Sequence, residues 1–204
     1  LIIRDKVLSR QCDYINKKLS NSKITIFGCG GLGSNIAFML ARAGVSQINI
    51  FDYDKVDYSN LNRQNYEIKD LGHFKVVACK KHILDAIPYI KINAFKIKLN
   101  ENNLDKYIEL SDVFIEAFDD KLSKTMLFDY FLKRQDKKLI CASGVAGLNY
   151  DGIKSKDFSN IKVVGDFCSE EDLGLYSPKV NLIASIQAIE AIKLLIKGEK
   201  HGQI

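Results

Sequence analysis

The chain has 204 residues, 47% of them hydrophobic and 27% charged, with 2 Pro and 13 Gly. That composition fits one well-formed core and excludes collagen-like, mucin-like or extensively disordered sequence. The formal net charge of +5 is not gathered into any block of like charges, so no nucleic-acid-binding segment is expected. The longest apolar run, Ile36 to Ala41, is far short of the roughly 18 residues that a membrane span needs. Charges at Arg4, Asp5, Lys6 and Arg10 also argue against an anchor or a signal peptide. Cys12, Cys29, Cys79, Cys141 and Cys168 are odd in number and never spaced as CxxC. This disfavours a disulfide framework and makes a reducing cytoplasm the simplest setting.

In chain order, residues 1–22 are taken as an N-terminal helical arm and residues 23–204 as one domain. Short β-rich runs then alternate with helical patterns, the sequence form of a mostly parallel sheet with helices on both faces. Strands are expected at Lys23 to Phe27, Gln47 to Asp52, Lys91 to Leu99, Asp112 to Phe118, Lys138 to Ala142 and Ile161 to Val164. Helices are expected at Leu32 to Ala43, closed by Gly44, and at Lys75 to Ala86, stopped by Pro88. Two more are expected at Glu101 to Leu110, capped by Asn100, and at Leu122 to Lys133. The last helix starts with Ser177 as its cap and Pro178 in its first turn, ends at Gly198, and repeats Ile183, Ile186, Ile189, Ile192 and Ile196 at helical spacing. Between Gly144 and Ser177, frequent Gly and Asp predict mostly loop with short strands.

The first strand runs straight into Gly28-Cys29-Gly30-Gly31-Leu32-Gly33 and a helix follows, the context that gives a GxGxxG match meaning. Gly28 permits the tight turn, Gly30 and Gly31 leave room for a phosphate, and Gly33 allows close helix packing. Asp52, 21 residues after Gly31 at the end of the second strand, is placed to accept hydrogen bonds from ribose hydroxyls. A Rossmann-like fold and a nucleotide follow from these residues; the identity of the nucleotide does not.

The chain continues with a polar cluster that a dinucleotide site does not require: Asp54, then Ser59, Asn60, Arg63 and Gln64. A triphosphate needs such an addition, because its β and γ phosphates carry charge beyond the reach of one helix terminus. Arg63 supplies a planar donor, Lys75 a mobile point charge, and Asp119, at a strand's carboxyl end, a ligand for Mg²⁺. No GxxxxGK[ST], GxSxG or HExxH is present, and His73, His82 and His201 form no ligand pair.

The stretch GCGGLGSNIAFMLARAGVSQINIFDYDKVDYSNLNRQ, with the later IEAFDD and SIQAIEAIKLL, resembles the ThiF/MoeB/HesA family, relatives of ubiquitin-activating enzymes. ASGVAG and VVGD bring it nearest to the short bacterial ThiF branch, which adenylates the sulfur carrier ThiS in thiazole synthesis. The resemblance implies ATP-dependent adenylation of the C-terminal carboxylate of a ubiquitin-like carrier ending in Gly-Gly, in a homodimer. It matches Gly31 and Asp52 to nucleotide binding, Ser59 to Arg63 to the phosphate-side loop, and Asn60, Arg63 and Gln64 to a polar triad. Lys75 falls on the phosphate-contacting lysine, Asp119 on the metal-associated aspartate, and Asp120 where many members have Asn. Arg63, Lys75 and Asp119 are the expected catalytic groups.

The zinc-binding CxxC pairs of longer members are absent from the sequence, so no structural zinc is expected. Cys168 falls in the loop where some members carry a reactive cysteine, but Asp166, Glu170, Glu171 and Asp172 nearby argue against an activated thiol. Arg10 sits in a segment resembling one that reaches a partner's site. A carrier other than ThiS (MoaD-like), a non-catalytic carrier-binding subunit and an NAD-dependent oxidoreductase are the alternatives.

Overall fold

The computed structural model describes residues 2–169 and 171–197. Seven strands form one sheet in the order β3-β2-β1-β4-β5-β7-β6. They are β1 Lys23–Phe27, β2 Gln47–Phe51, β3 Lys91–Phe95, β4 Val113–Glu116, β5 Lys138–Ala142, β6 Lys154–Phe158 and β7 Ile161–Gly165. All neighbours run parallel except β6, which is antiparallel to β7. The helices are α1 Ile2–Val7, α2 Asp13–Leu19, α3 Gly31–Ala43, α4 Lys75–Ala86, α5 Lys121–Leu132 and α6 Ser177–Ile196.

The alternation within each strand explains the two layers. Ile24 and Ile26 of β1, with Ile48 and Ile50 of β2 and Ile115 of β4, join the cluster that receives α3, α4 and α6. Phe27, Phe51 and Phe114 point the other way, toward Leu127 and Phe131 of α5. Both sheet faces are thus apolar, as a parallel sheet covered on both sides requires. The second layer is aromatic: Phe51 stacks on Phe95 at 4.3 Å, and Phe114 meets Phe131 at 5.0 Å. The Rossmann-like, doubly covered sheet expected from the sequence is the observed fold.

Three local expectations are corrected. The segment 101–110 is not a helix but two 3-10 turns, Leu104–Lys106 and Ile108–Leu110. These bury Leu104 and Ile108 under the aromatic layer, and two tight turns place those side chains without a helix's length. Ser177 is the first helical residue rather than the cap; Tyr176 holds the cap position with no side-chain cap bond. The Ser177 hydroxyl instead accepts from Asn181 Nδ2 at 3.0 Å. The strands end earlier than expected, at Phe51, Phe95 and Glu116. The expected stop at Gly198 lies outside the described residues.

The chain leaves β1 through α3 to β2, continues through α4 to β3, then returns to the opposite side of β1 as β4. The reversal opens a crevice at the carboxyl ends of β1 and β4, the place where open α/β sheets bind ligands. Among the described residues no helix is long and apolar enough to cross a membrane.

Candidate functional site

A cleft of about 1350 Å³ runs along the carboxyl edge of the sheet. Its floor is the glycine turn. Gly28 has φ +102°, and a Cβ there would lie 2.5 Å from the Ala117 carbonyl oxygen, so the turn touches the end of β4 directly. A Cβ on Gly33 would lie 2.0 Å from the Gly28 oxygen, which makes the start of α3 part of the same tight joint. Tyr66 supports the turn from beneath, its hydroxyl donating to the Cys29 carbonyl at 2.6 Å.

Asp52 is fixed by two amides. The N–H of Cys29 donates to Oδ2 at 2.7 Å and that of Asp54 to Oδ1 at 2.8 Å. Burial pushes its carboxyl above the usual range, while these two amides and nearby Lys75 pull it back. The carboxylate is therefore held rigidly at the glycine turn, oriented by backbone from two strand ends.

Beside it, Lys75 opens α4 with a side chain only 8% exposed, paired at 3.0 Å with Oδ2 of Asp54, itself 47% exposed. Arg63 donates from Nη1 to the Ser59 carbonyl at 3.0 Å and to Asn62 Oδ1 at 2.9 Å. Its methylenes pass over Gly31. Asn35 of α3 locks this segment to the turn, donating to the carbonyls of Gly31 and Arg63. Gln64 is buried on the cleft wall, and its Oε1 has no hydrogen-bond partner among the described residues.

Of the residues singled out from the sequence, Gly28, Gly30, Gly31, Asp52 and Asp54 line this cleft. So do Arg63, Gln64, Lys75, Asp119 and Asp120. Gly33 lies behind it. Ser59 and Asn60 lie outside the lining: the Ser59 amide and hydroxyl donate to Asp57, and Asn60 Oδ1 accepts from the Asp57 amide. Their contribution is to shape the turn from which Arg63 hangs. Asp120 caps α5, accepting from the Ser123 amide at 2.8 Å, and that amide helps hold its carboxyl below the usual range. Asp119 is exposed at the cleft, with no hydrogen-bond or ion-pair partner among the described residues. Cys29 and Cys141 are buried, and burial pushes both thiols well up; Cys168 is exposed. Arg10 is exposed after α1, away from this cleft.

Sequence reasoning missed Lys98, Lys121 and Lys124, which add positive charge to the same cleft. Lys98 lies over the Tyr53 ring at 5.1 Å, and Lys124 bridges both oxygens of buried Glu116 at 2.9 and 3.1 Å. A signal was present. Both α4 and α5 begin with lysine and have no acidic residue in the first turn, against the preference set by the helix dipole. Cations placed there run against helix stability and suit an anion at the cleft.

Known proteins share sequence and fold with this chain. A probable molybdopterin-synthase adenylyltransferase of Porphyra purpurea is 32% identical over 88% of this chain and 50% of that protein. An adenylyltransferase and sulfurtransferase of Dictyostelium discoideum is 29% identical over 89% of this chain and 45% of its own. The chain thus spans about half the length of these curated relatives. The fold is shared with the tRNA N6-threonylcarbamoyladenosine dehydratase of E. coli, TM-score 0.85 at 18% identity, over 94% of this chain and 92% of that one. That enzyme has also been crystallised with ATP. Residues 6–203 match the ThiF family, and this chain is a member of it.

Proposed function

We propose that this chain adenylates the C-terminal carboxylate of a ubiquitin-like carrier ending in Gly-Gly, using ATP. The observation that carries the reading is one continuous cleft in which a rigid glycine turn and an amide-fixed Asp52 stand beside Arg63 and Lys75. A ribose and a polyphosphate need that combination. The carrier carboxylate oxygen attacks the α-phosphorus, a new P–O bond forms, and the bond to pyrophosphate breaks with its electron pair leaving on the pyrophosphate. Arg63 and Lys75 stabilise the charge that builds there, and the cleft aligns the two reactants. No covalent intermediate with the protein is needed for this step.

Among the described residues no cluster of three His, Cys, Asp or Glu forms a metal site on its own. Asp119 suits a divalent cation that takes its other ligands from phosphate oxygens and water. Asp119 would hold Mg²⁺, which supplies neutralisation of the triphosphate charge. The preferred carrier is ThiS-like, which would place the chain in thiazole formation for thiamin. The similarity to a molybdopterin-synthase adenylyltransferase favours a MoaD-like carrier as the second reading. A homodimer and a reducing cytoplasm belong to the same proposal, the latter supported by five free cysteines.

The test is exchange of labelled pyrophosphate into ATP with Mg²⁺, with and without a Gly-Gly-ended ThiS-like or MoaD-like carrier. Exchange that requires carrier and falls roughly 100-fold in Arg63→Ala is the expected result. Nucleotide binding without exchange on either carrier would leave a binding subunit instead, and nicotinamide bound after purification would favour an oxidoreductase.

Asp52 gives a pH signature. Its raised carboxyl protonates at a higher pH than an ordinary aspartate, near 4. Protonation therefore weakens nucleotide binding earlier on acidification than an unperturbed carboxyl would. Calorimetric titration should show affinity falling as pH drops through that raised value. Asp52→Asn should bind roughly tenfold more weakly at pH 7, with a flat profile.

A further inference from the structure

Lys179 and Asp166 form the most buried ion pair among the described residues, 2.6 Å apart with side chains 3% and 5% exposed. Lys179, in the first turn of α6, also donates to the Ala146 carbonyl. The other oxygen of Asp166 accepts from the amides of Cys168 and Ser169, each at 2.9 Å. Phe167 between them is left-handed at φ +64°, and its amide donates to the Ser143 carbonyl at 3.3 Å. Gly144 approaches so closely that a Cβ there would lie 1.9 Å from Asp166 Oδ1. Three segments, after β5, after β7 and at the start of α6, are thus interlocked around one pair of charges.

Stability does not explain the pair. Both charges are desolvated, and a cation in the first turn of a helix opposes the dipole, so apolar side chains of similar volume would serve the core at least as well. What the pair defines is the backbone of Ser143, Gly144, Val145 and Ala146, all of which line the cleft. In the sheet order β2-β1-β4-β5-β7, the glycine turn and Asp52 stand at β1 and β2, whereas this wall follows β5. With neighbouring strands about 4.8 Å apart, that wall is about 10 Å from β1, at the other end of the cleft from the glycine turn.

We propose that Lys179 and Asp166 are positioning residues for the carboxylate substrate, fixing the 143–146 wall that receives its tail at the end of the cleft away from the nucleotide. The proposal rests on the adenylation reading above. Because both residues act through backbone, their removal changes recognition of the tail and leaves the nucleotide end intact.

The experiment varies carrier and ATP independently in pyrophosphate exchange, for wild type, Lys179→Met, Lys179→Arg and the double variant Lys179→Met with Asp166→Asn. The expected result is a KM for carrier raised roughly tenfold or more in Lys179→Met, as a small misplacement of a binding wall produces. The KM for ATP stays within about twofold, and Lys179→Arg recovers most of the loss. A merely structural role would lower the yield of active enzyme with both KM values unchanged; that outcome, equal changes in both, or no rescue by arginine overturns the proposal. The double variant removes both charges together and keeps the comparison possible if Lys179→Met does not fold. If wild type exchanges with no carrier, the adenylation reading fails separately. The positioning is then read by amide hydrogen exchange: faster exchange at 143–147 in Lys179→Met with ATP affinity unchanged supports it, and unchanged protection overturns it.

Discussion

Lys75→Met is expected to lose roughly 100-fold or more in carrier-dependent pyrophosphate exchange while the protein keeps its thermal stability. The two halves of this result come from the same geometry. Lys75 is buried at the first position of α4, where a positive charge is opposed by the helix dipole and by desolvation. Its partner Asp54 is half exposed, so water can solvate that carboxylate once the ammonium is gone. A methionine of similar length fills the space and removes an unfavourable charge. The Tm should therefore stay within about 2 °C of wild type or rise. In the proposed reaction, the same ammonium meets the charge that develops on the departing pyrophosphate, which neither methionine nor water replaces. A variant that lost stability and activity together would mean that Lys75 serves the fold; one that kept its activity would remove Lys75 from the mechanism.

Gly33→Ala has the second large expected effect, and it acts on fold and ligand at once. The added Cβ would stand 2.0 Å from the Gly28 oxygen and 2.8 Å from the Gly28 carbonyl carbon, both backbone atoms that no rotamer change can move aside. Relief requires α3 to shift away from the turn and from Ala117. Overpacking of this kind costs about 2 kcal/mol, which for a chain of this size lowers Tm by roughly 4 to 8 °C. The shift also moves the amides proposed to bind a phosphate, so ATP affinity should fall roughly 100-fold. Gly152→Ala is the control: Gly152 has φ +81° but, its chain neighbours aside, no atom of the described residues within 4 Å of the added Cβ. It should cost about 1 kcal/mol of backbone strain and leave nucleotide binding unchanged. Equal effects of the two variants on binding would show that the Gly28–Gly33 joint does not set the site.

What could be read along the chain depended on how local its cause is. The buried strands were visible because short β-rich runs stand between turn signals, as in Lys23–Phe27 and Lys138–Ala142. Strand β6 was not, since all five of its residues are exposed and KSKDF carries no alternation. It exists because β7 offers an open edge, a cause located 3 residues away from its end and invisible in its own composition. The segment 101–110 has apolar spacing compatible with a helix, but its apolar residues answer to the aromatic layer above them. Ser59 and Asn60 were grouped with Arg63 by proximity in sequence. The fold spends their side chains on Asp57 and gives only Arg63 to the cleft.

The sequence by itself determined the doubly covered parallel sheet, the glycine turn, Asp52 at the second strand's end and the cations at 63 and 75, because each depends on periodicity or on spacing between successive elements along the chain. Only the tertiary structure decided that Lys98, Lys121 and Lys124 share that cleft, and that Lys179 reaches Asp166 and the Ala146 carbonyl. Those groupings join residues from different strand ends. They arise where β4 returns on the far side of β1, so that loops remote along the chain meet over one edge of the sheet.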